Sequence, residues 1–181
     1  MNQQLIRSEI CIVGDGAVGK AAALGLAQAG LSVALLRGDA ASSQVAATSD
    51  WDVRVFALNH IAHDLLNSLK VWGALDASRL APVSAMQVHD AAETGNGKLE
   101  FDAYGAYINE LAWIVEDKNL NHALDSALRF APNIQFVEGH AEKLTAGAEV
   151  ASVELTDARV IEAQLIIGAD GAQSWVRGQA D

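Results

Sequence analysis

Three glycines near the start of the sequence have the spacing of a phosphate-binding turn. Gly14, Gly16 and Gly19 follow the apolar run Ile10 to Val13 in the order G-x-G-x-x-G. In such a motif the first glycine permits a tight turn, the second leaves room for a pyrophosphate, and the third lets a helix pack closely on a strand. The N–H groups at the start of that helix then bind the anion. The motif predicts a dinucleotide site; the alternative is a glycine-rich turn in an ordinary α/β domain.

The residue at the end of the second predicted strand is not the expected one. In dinucleotide-binding folds an acid about 20 residues after the glycines accepts hydrogen bonds from the adenosine ribose. This sequence has Arg37 there. One reading places Arg37 against a ribose 2′-phosphate and makes the site an NADP site, a second assigns the ribose to another group such as Asp39, and a third leaves Arg37 solvated. The glycine motif by itself does not separate FAD from NAD.

A β-α-β unit is predicted around the glycine motif. Ile10 to Gly14 reads as a strand, Ala17 to Ala29 as a helix capped by Gly30, and Leu31 to Leu36 as a second strand. Connections of this kind are right-handed and imply a parallel sheet covered by helices. The predicted fold class is therefore α/β, a Rossmann-like sheet.

The middle of the sequence predicts two helices separated by antiparallel strands. Asn59 to Lys70 reads as an amphipathic helix that packs one face on the sheet. Its apolar positions are Ile61, Ala62, Leu65, Leu66 and Leu69. Residues 82–115 alternate in short segments, with a hairpin turn at Gly95 to Gly97. A second helix follows, with Leu120, Ala123, Leu124, Ala127 and Leu128 on one face.

The last third of the sequence returns to strands. Ile134 to Val137 is a predicted strand, and residues 150–163 are a predicted hairpin that leads into a buried run from Leu165 to Ile167. Gly168-Ala169-Asp170-Gly171 follows directly. The chemistry-bearing residues at 168–171 are therefore placed at the end of a strand.

Three later segments resemble one family in their order along the chain. They are Asp52 to Leu58 with its Arg54, Glu116 before the second helix, and Gly168 to Arg177. Together with the glycine motif they resemble the class A flavoprotein monooxygenases, typified by p-hydroxybenzoate hydroxylase. The resemblance is greatest to the hydroxylases of ubiquinone biosynthesis. It covers essentially the whole chain, and its most specific element is the Gly-Ala-Asp-Gly segment with Ser174 and Arg177 beyond it.

The resemblance implies a set of cofactor-binding residues for FAD. Arg54 would contact the cofactor near its pyrophosphate, Glu116 would lie at the flavin-side helix start, and Asp170 with Gly171 would help to order FAD and the reducing nicotinamide. For Arg54 the alternative is a surface ion pair, and for Asp170 it is turn formation. The pyrophosphate itself would be held by Gly14, Gly16, Ala17, Val18 and Gly19, with Arg37 nearby.

The resemblance also implies an activity and its partners. The complete enzyme would use FAD, NAD(P)H as co-substrate and O2 to hydroxylate an aromatic ring, with a polyprenylated phenol of ubiquinone biosynthesis as substrate. Such a substrate implies contact with a membrane surface or a biosynthetic complex. No catalytic residue is assigned within this chain.

The sequence departs from the family pattern at two places. Arg37 replaces the usual acid, and the third family motif, a Gly-Asp pair, is missing before the end at Asp181. We therefore expect a truncated and inactive FAD-binding domain over 1–181, with 82–115 as a remnant of the substrate-domain sheet. The alternatives are an NADP-dependent oxidoreductase and a non-catalytic domain that associates through exposed apolar surface, for example as a homodimer.

Composition limits the other classes of function. The formal net charge is −11, which opposes binding to nucleic acid and to anionic lipid. Cys11 is the only cysteine, so a disulfide framework is impossible, and we expect an inert core thiol in a cytoplasmic protein. His60 and His63 have helical spacing for one metal, but no third ligand is evident, and no metal site is assigned.

Overall fold

The computed structural model describes residues 4–38, 51–90 and 97–180. Their contacts divide the chain into a first unit, Met1–Thr48 with Asn121–Asp181, and a second unit, Ser49–Leu120. The strands are β1 (Leu5–Val13), β2 (Val33–Arg37), β3 (Val55–Leu58), β4 (Leu80–Val83), β5 (Ala85–His89), β6 (Lys98–Asp102), β7 (Ala112–Glu116), β8 (Ile134–Glu138), β9 (Ala141–Thr145), β10 (Ala151–Leu155) and β11 (Val160–Gly168). The helices are α1 (Ala17–Gln28), α2 (His60–Ser68), α3 (Asp117–Leu128) and α4 (Trp175–Ala180).

The first unit is built on a six-stranded sheet in the order β8-β2-β1-β11-β10-β9. β1 pairs in parallel with both β2 and β11, and β2 pairs in parallel with β8. The β-α-β prediction is therefore confirmed, with α1 as the crossover. Gly30 lies just beyond α1 with a φ of +93°, a conformation that glycine adopts without strain.

The core of the first unit forms where the parallel strands are covered on both faces. All four residues from Ile10 to Val13 are buried, and so are all four from Val33 to Leu36. Such uninterrupted apolar runs are typical of central parallel strands. Cys11 is completely buried, and burial raises the pKa of its thiol to about 12. The predicted core position of Cys11 is confirmed.

The C-terminal strands differ from the prediction in the extent and burial of β11. The predicted hairpin is present as β10 and β11, but β11 continues without a break to Gly168. Leu165 is 52% exposed, so the expectation of a buried run from Leu165 to Ile167 is wrong. β11 is antiparallel to β10 along its first part and parallel to β1 along its whole length, so backbone pairing rather than burial holds this end of the strand.

The second unit contains two small antiparallel sheets. One has the strand order β3-β7-β4, and the other is the two-stranded ribbon β5-β6. The predicted hairpin is confirmed in β5 and β6, while residues 91–96 of its turn lie outside the described part of the chain. The assignment of 82–115 to a substrate-domain remnant stays a prediction.

Helix α2 buries only part of the apolar face that its sequence predicts. Leu66 and Leu69 are buried, whereas Ile61 is 79% exposed and Leu65 is 51% exposed.

Two histidines of α2 contact Trp113 of β7. The ring of His63 stacks on the indole at 4.7 Å, and His60 meets it edge-on at 5.0 Å. These aromatic contacts contribute to the packing of α2 on β7.

No helix within the described residues is long and apolar enough to cross a membrane.

Candidate functional site

The glycine turn lies where three strands of the first unit end together. The N–H of Gly14 donates to the carbonyl oxygen of Leu36 at the end of β2, at 3.1 Å. The N–H of Ala169, just after β11, donates to the carbonyl oxygen of Val13 at 2.8 Å. In open α/β sheets ligands bind at the carboxyl ends of the strands. The fold therefore brings the predicted glycine motif, Arg37 and the 168–171 segment to one edge of the sheet.

Two of the glycines are required by packing. A Cβ atom on Gly19 would lie 1.9 Å from the carbonyl oxygen of Gly14, so α1 approaches the turn too closely for any side chain. Gly14 itself has a φ of +111°, and a Cβ there would lie 2.4 Å from the carbonyl oxygen of Ala169. These two positions fix the turn and the start of the helix.

The remaining glycine faces open space. A Cβ atom on Gly16 would meet no atom within 4 Å, and Gly16 is the N-cap of α1 with no side-chain capping hydrogen bond. The first N–H groups of a helix have no partner within it, and here they belong to Ala17, Val18 and Gly19. Among the described residues, the space where a Gly16 side chain would lie is empty, which leaves room for an anion beside these groups.

Arg37 is held against the protein. Its guanidinium carbon lies 3.7 Å from the centre of the Phe136 ring, and its Nη2 is 3.8 Å from Oδ1 of Asp125. Its Nε is buried and has no hydrogen-bond partner among the described residues. The side chain of Arg37 is therefore packed against Phe136 and Asp125 and is not simply solvated. Asp39, the other candidate for the ribose, lies outside the described residues.

Asp125 also pairs with a buried lysine that the sequence analysis did not single out. Nζ of Lys20 lies 2.8 Å from Oδ2 of Asp125, and the lysine side chain is only 6% exposed. Lys20 sits three and four residues before the buried Ala23 and Leu24 of α1. Helical periodicity therefore places Lys20 on the buried face, and this signal was available in the sequence. Asp125 links α1 to the end of β2.

Both oxygens of Asp170 are used within its own loop. Oδ1 accepts from the hydroxyl of Ser174 at 2.6 Å, and Oδ2 accepts from the N–H of Val176 at 3.0 Å. Partial burial by itself raises the pKa of this carboxyl, but the hydrogen bonds from Ser174 and Val176 outweigh it, and the net pKa is lowered. In this structure Asp170 organises the turn before α4, while its contact with a cofactor stays a prediction.

The pH dependence of stability tests this structural role of Asp170. Because its pKa is lower in the folded chain than in the unfolded one, the ionised form stabilises the fold above about pH 4, and this contribution disappears as pH falls through the folded value. We expect Asp170→Asn to lower the urea midpoint at pH 6 and to lower it much less at pH 3. The exposed Glu142→Gln variant is the control. An equal loss at both pH values would contradict the assignment.

Of the other predicted site residues, Gly171 directly follows Asp170 with a φ of +88°, and Arg54 and Glu116 lie in the second unit. The guanidinium of Arg54 is 75% exposed and lies 3.6 Å from the carboxylate of Asp117. The Asp52 carboxylate accepts from the N–H of Arg54 at 3.1 Å and from the N–H of Lys118, at the start of α3, also at 3.1 Å. These hydrogen bonds, that of Arg54 first, lower the pKa of Asp52. The loop before β3 is thereby tied to α3, and the Arg54 side chain extends from it into solvent.

Glu116 is the most deeply buried acid among the described residues of the second unit. It ends β7, its side chain is only 5% exposed, and Oε2 lies 2.7 Å from Nη1 of Arg79. The same oxygen accepts from the N–H of Asp52 at 3.3 Å. Oε1 is buried and has no partner among the described residues. The sequence predicted Glu116 as a site residue but not Arg79, because 37 residues separate the two and no local pattern links them.

The ring nitrogens of His60 and His63 have separate hydrogen-bond partners. Nε2 of His60 lies 2.7 Å from the carbonyl oxygen of Glu110, and Nδ1 of His63 lies 2.9 Å from the carboxylate of Asp64. Among the described residues, no group of three or more histidine, cysteine or acidic side chains is placed to hold a metal ion.

The parallel sheet, the glycine turn and the unblocked helix start define a dinucleotide-binding protein of the α/β class. The chain belongs to the family described as the FAD binding domain, which matches residues 7–181. The prediction of an FAD-binding fold is therefore confirmed. The family match favours FAD over NADP as the ligand of this chain.

Two relatives and one solved structure give the scale of the similarity. The chain is 37% identical over 174 residues to 3-demethoxyubiquinol 3-hydroxylase of Escherichia coli (strain K12), covering 96% of this chain and 44% of that protein. It is 28% identical over 178 residues to the mitochondrial ubiquinone biosynthesis monooxygenase COQ6 of Drosophila melanogaster, covering 93% and 37%. The crystal structure of p-nitrophenol 4-monooxygenase PnpA from Pseudomonas putida DLL-E4 superposes with a TM-score of 0.71 at 18% identity, over 98% of this chain and 44% of that one. The chain thus spans less than half of each.

Proposed function

We propose that this chain is the FAD-binding part of a monooxygenase that hydroxylates an aromatic ring, with NAD(P)H and O2 as co-substrates. The 37% identity over 174 residues to a protein named 3-demethoxyubiquinol 3-hydroxylase carries this proposal. It also supports a ubiquinone-biosynthesis intermediate as the ring substrate. The chain spans only 44% of that relative. The hydroxylation activity is therefore proposed for the whole protein and not for this chain alone.

The residues of the first unit fit the pyrophosphate of FAD. The space over Gly16 is open, and the N–H groups of Ala17, Val18 and Gly19 have no helical partner. The positive end of α1 adds favourable electrostatics for an anion. Bound FAD would supply the redox chemistry, which no side chain of this chain provides. The protein would bind and orient the cofactor and keep water from it.

Arg54 and Arg37 would act differently on the cofactor. The guanidinium of Arg54 is exposed, and a guanidinium can bind a phosphate through two N–H groups. Arg37 has only donors and cannot accept from ribose hydroxyls as an acid would. The ribose hydroxyls would then need another acceptor, for which Asp39 is the candidate.

Partners of the proposed enzyme follow from the substrate class and from one exposed surface. A polyprenylated phenol implies contact with a membrane surface or a biosynthetic complex. The ribbon β5-β6 presents paired apolar side chains, Met86 opposite Phe101 and Val88 opposite Leu99, each about half exposed. This apolar face supports association, including a homodimer.

Titration with FAD tests the proposal. Flavin fluorescence should change saturably when FAD is added to the 181-residue chain, and Arg54→Ala should weaken binding about tenfold because a charge-assisted contact is lost. NADP is the competitor. A folded chain that binds no FAD would contradict the cofactor assignment, and tighter binding of NADP than of FAD would favour the reductase alternative that Arg37 raised.

A further inference from the structure

The sequence contains two Asp-Gly pairs, Asp15–Gly16 and Asp170–Gly171, and both lie in the first unit. A pair of this kind can rearrange without an enzyme or a co-reactant. The backbone nitrogen of the glycine attacks Cγ of the aspartate, one carboxyl oxygen leaves as water, and a cyclic succinimide forms. Glycine favours ring closure because it has no side chain to obstruct it.

Hydrolysis of the succinimide can change the course of the main chain. Water adds to one of the two ring carbonyl groups, and the ring opens. Attack at Cγ restores aspartate, whereas attack at the backbone carbonyl carbon leaves the chain running through Cγ, as isoaspartate. The water that leaves in the first step is replaced in the second, so the atoms balance. The isoaspartyl main chain is longer by one methylene group.

The fold uses both residues of the second pair. Gly171 has a φ of +88°, where a residue with a side chain would be strained even though no atom lies within 4 Å of a Cβ there. Asp170 is the acceptor for the hydroxyl of Ser174 at 2.6 Å and for the N–H of Val176 at 3.0 Å. The reactive sequence is therefore built into the turn between β11 and α4.

The same two hydrogen bonds oppose the rearrangement. Ring closure requires Cγ of Asp170 to turn toward the nitrogen of Gly171, and one oxygen must take up a proton and leave. Both oxygens are held by residues four and six positions further along. Partial burial by itself raises the pKa of this carboxyl, but the hydrogen bonds from Ser174 and Val176 lower it overall. The carboxyl is therefore ionised near neutral pH, and an ionised carboxyl does not release its oxygen as water.

Ser174 is itself held in position. Its Oγ accepts from the N–H of Arg177 at 3.1 Å, so its single O–H is left to donate to Asp170. The guanidinium of Arg177 donates to the carbonyl oxygen of Ala172 at 2.8 Å. The loop that contains the reactive pair is thereby closed around the carboxylate of Asp170.

The position of the pair in the first unit gives its rearrangement a consequence. A Cβ atom on Gly14 would lie 2.4 Å from the carbonyl oxygen of Ala169 and 2.9 Å from the nitrogen of Asp170. The glycine turn thus packs directly on the peptide unit that precedes the reactive residue. One extra methylene group in the main chain at Asp170 would disturb this close contact, since packed interiors tolerate such changes in volume poorly.

We propose that Asp170–Gly171 is a latent isomerisation site, and that Ser174 is the positioning residue that keeps it unreactive in the folded chain. The inference goes beyond the proposed function, because the rearrangement needs neither FAD nor substrate. Isoaspartate is therefore measured without cofactor, and the result is independent of the cofactor assignment.

Digestion with endoproteinase Asp-N measures each site separately. This protease cleaves before aspartate and not before isoaspartate, so lost cleavage at Asp170 gives the isomerised fraction after storage at pH 6. Storage in urea gives the rate for the unfolded chain. Asp170 should isomerise at least tenfold more slowly in the folded chain than in urea, because two hydrogen bonds must first break. This comparison uses the unaltered chain, so it does not depend on whether a variant folds.

Two variants then test the role of Ser174. Ser174→Ala should isomerise at Asp170 about fivefold faster than the original chain, whereas Ser174→Thr keeps the hydroxyl and should stay within about twofold. Asp15–Gly16 is the internal control, and its rate should be the same in all three chains. An unchanged rate at Asp170 in Ser174→Ala, an equal acceleration at Asp15, or equal rates at Asp170 in the folded and unfolded chain would each overturn the proposal.

Discussion

Gly19→Ala should destabilise the first unit by about 3 kcal/mol, whereas Gly16→Ala should leave it nearly as stable as the original chain. At position 19 the new Cβ would lie 1.9 Å from the backbone oxygen of Gly14, and neither backbone segment can yield cheaply. At position 16 it would meet no atom within 4 Å, and replacing glycine by alanine at an N-cap costs less than about 1 kcal/mol. Thermal or urea unfolding of the two variants measures the difference.

FAD affinity should show the opposite order of effects. When the two variants are compared at the same folded fraction, Gly16→Ala should lower the affinity more than Gly19→Ala. The methyl group of Gly16→Ala would occupy the space through which the pyrophosphate approaches α1, so we expect FAD affinity to fall at least tenfold. The two variants carry the same chemical change three residues apart, and each is therefore a control for the other. A Gly16→Ala chain that binds FAD as tightly as the original would show that the cofactor does not lie over this turn.

Arg79→Met should destabilise the chain by about 3 kcal/mol. The change leaves the Glu116 carboxylate, only 5% exposed, without the guanidinium that lies 2.7 Å away. Removing one partner of a buried ion pair is strongly destabilising because the other charge stays buried and uncompensated. The free energy of unfolding, measured with urea, should fall accordingly, and adding Glu116→Gln to Arg79→Met should restore part of the loss.

A surface pair provides the control for this second prediction. Lys143 and Glu154 lie 3.0 Å apart with side chains 62% and 40% exposed. Exposed pairs of this kind contribute about 0–1 kcal/mol. Lys143→Met should therefore change the unfolding midpoint only slightly. If Arg79→Met were as mild as Lys143→Met, the pair at Glu116 would not be buried as the structure has it.

Local patterns predicted the elements of the first unit well, and tertiary contacts explain the errors. The glycine spacing, the apolar runs and the hairpin residues act over a few positions, and they located the second half of β1, α1, β2, β10 and most of β11. The exposure of Ile61 and Leu65 on α2 was not predicted, and helical periodicity does not reveal the contact of His63 with Trp113, 50 residues away. Strand β9 was missed since Ala141–Thr145 has only Ala141 and Leu144 as inward-facing apolar positions.

The sequence by itself predicted a Rossmann-like β-α-β unit with a phosphate-binding turn, because at Gly14 and Gly19 the backbone comes too close to other backbone atoms for a Cβ atom. It also indicated the flavoprotein family, through short motifs that lie far apart along the chain. Only the tertiary structure decided how the charged residues are used. Arg37 pairs with Asp125, Lys20 shares the same carboxylate, and Glu116 is held by Arg79. Ion pairs between residues 37 to 105 positions apart depend on distances in space, which residue type and periodicity do not encode.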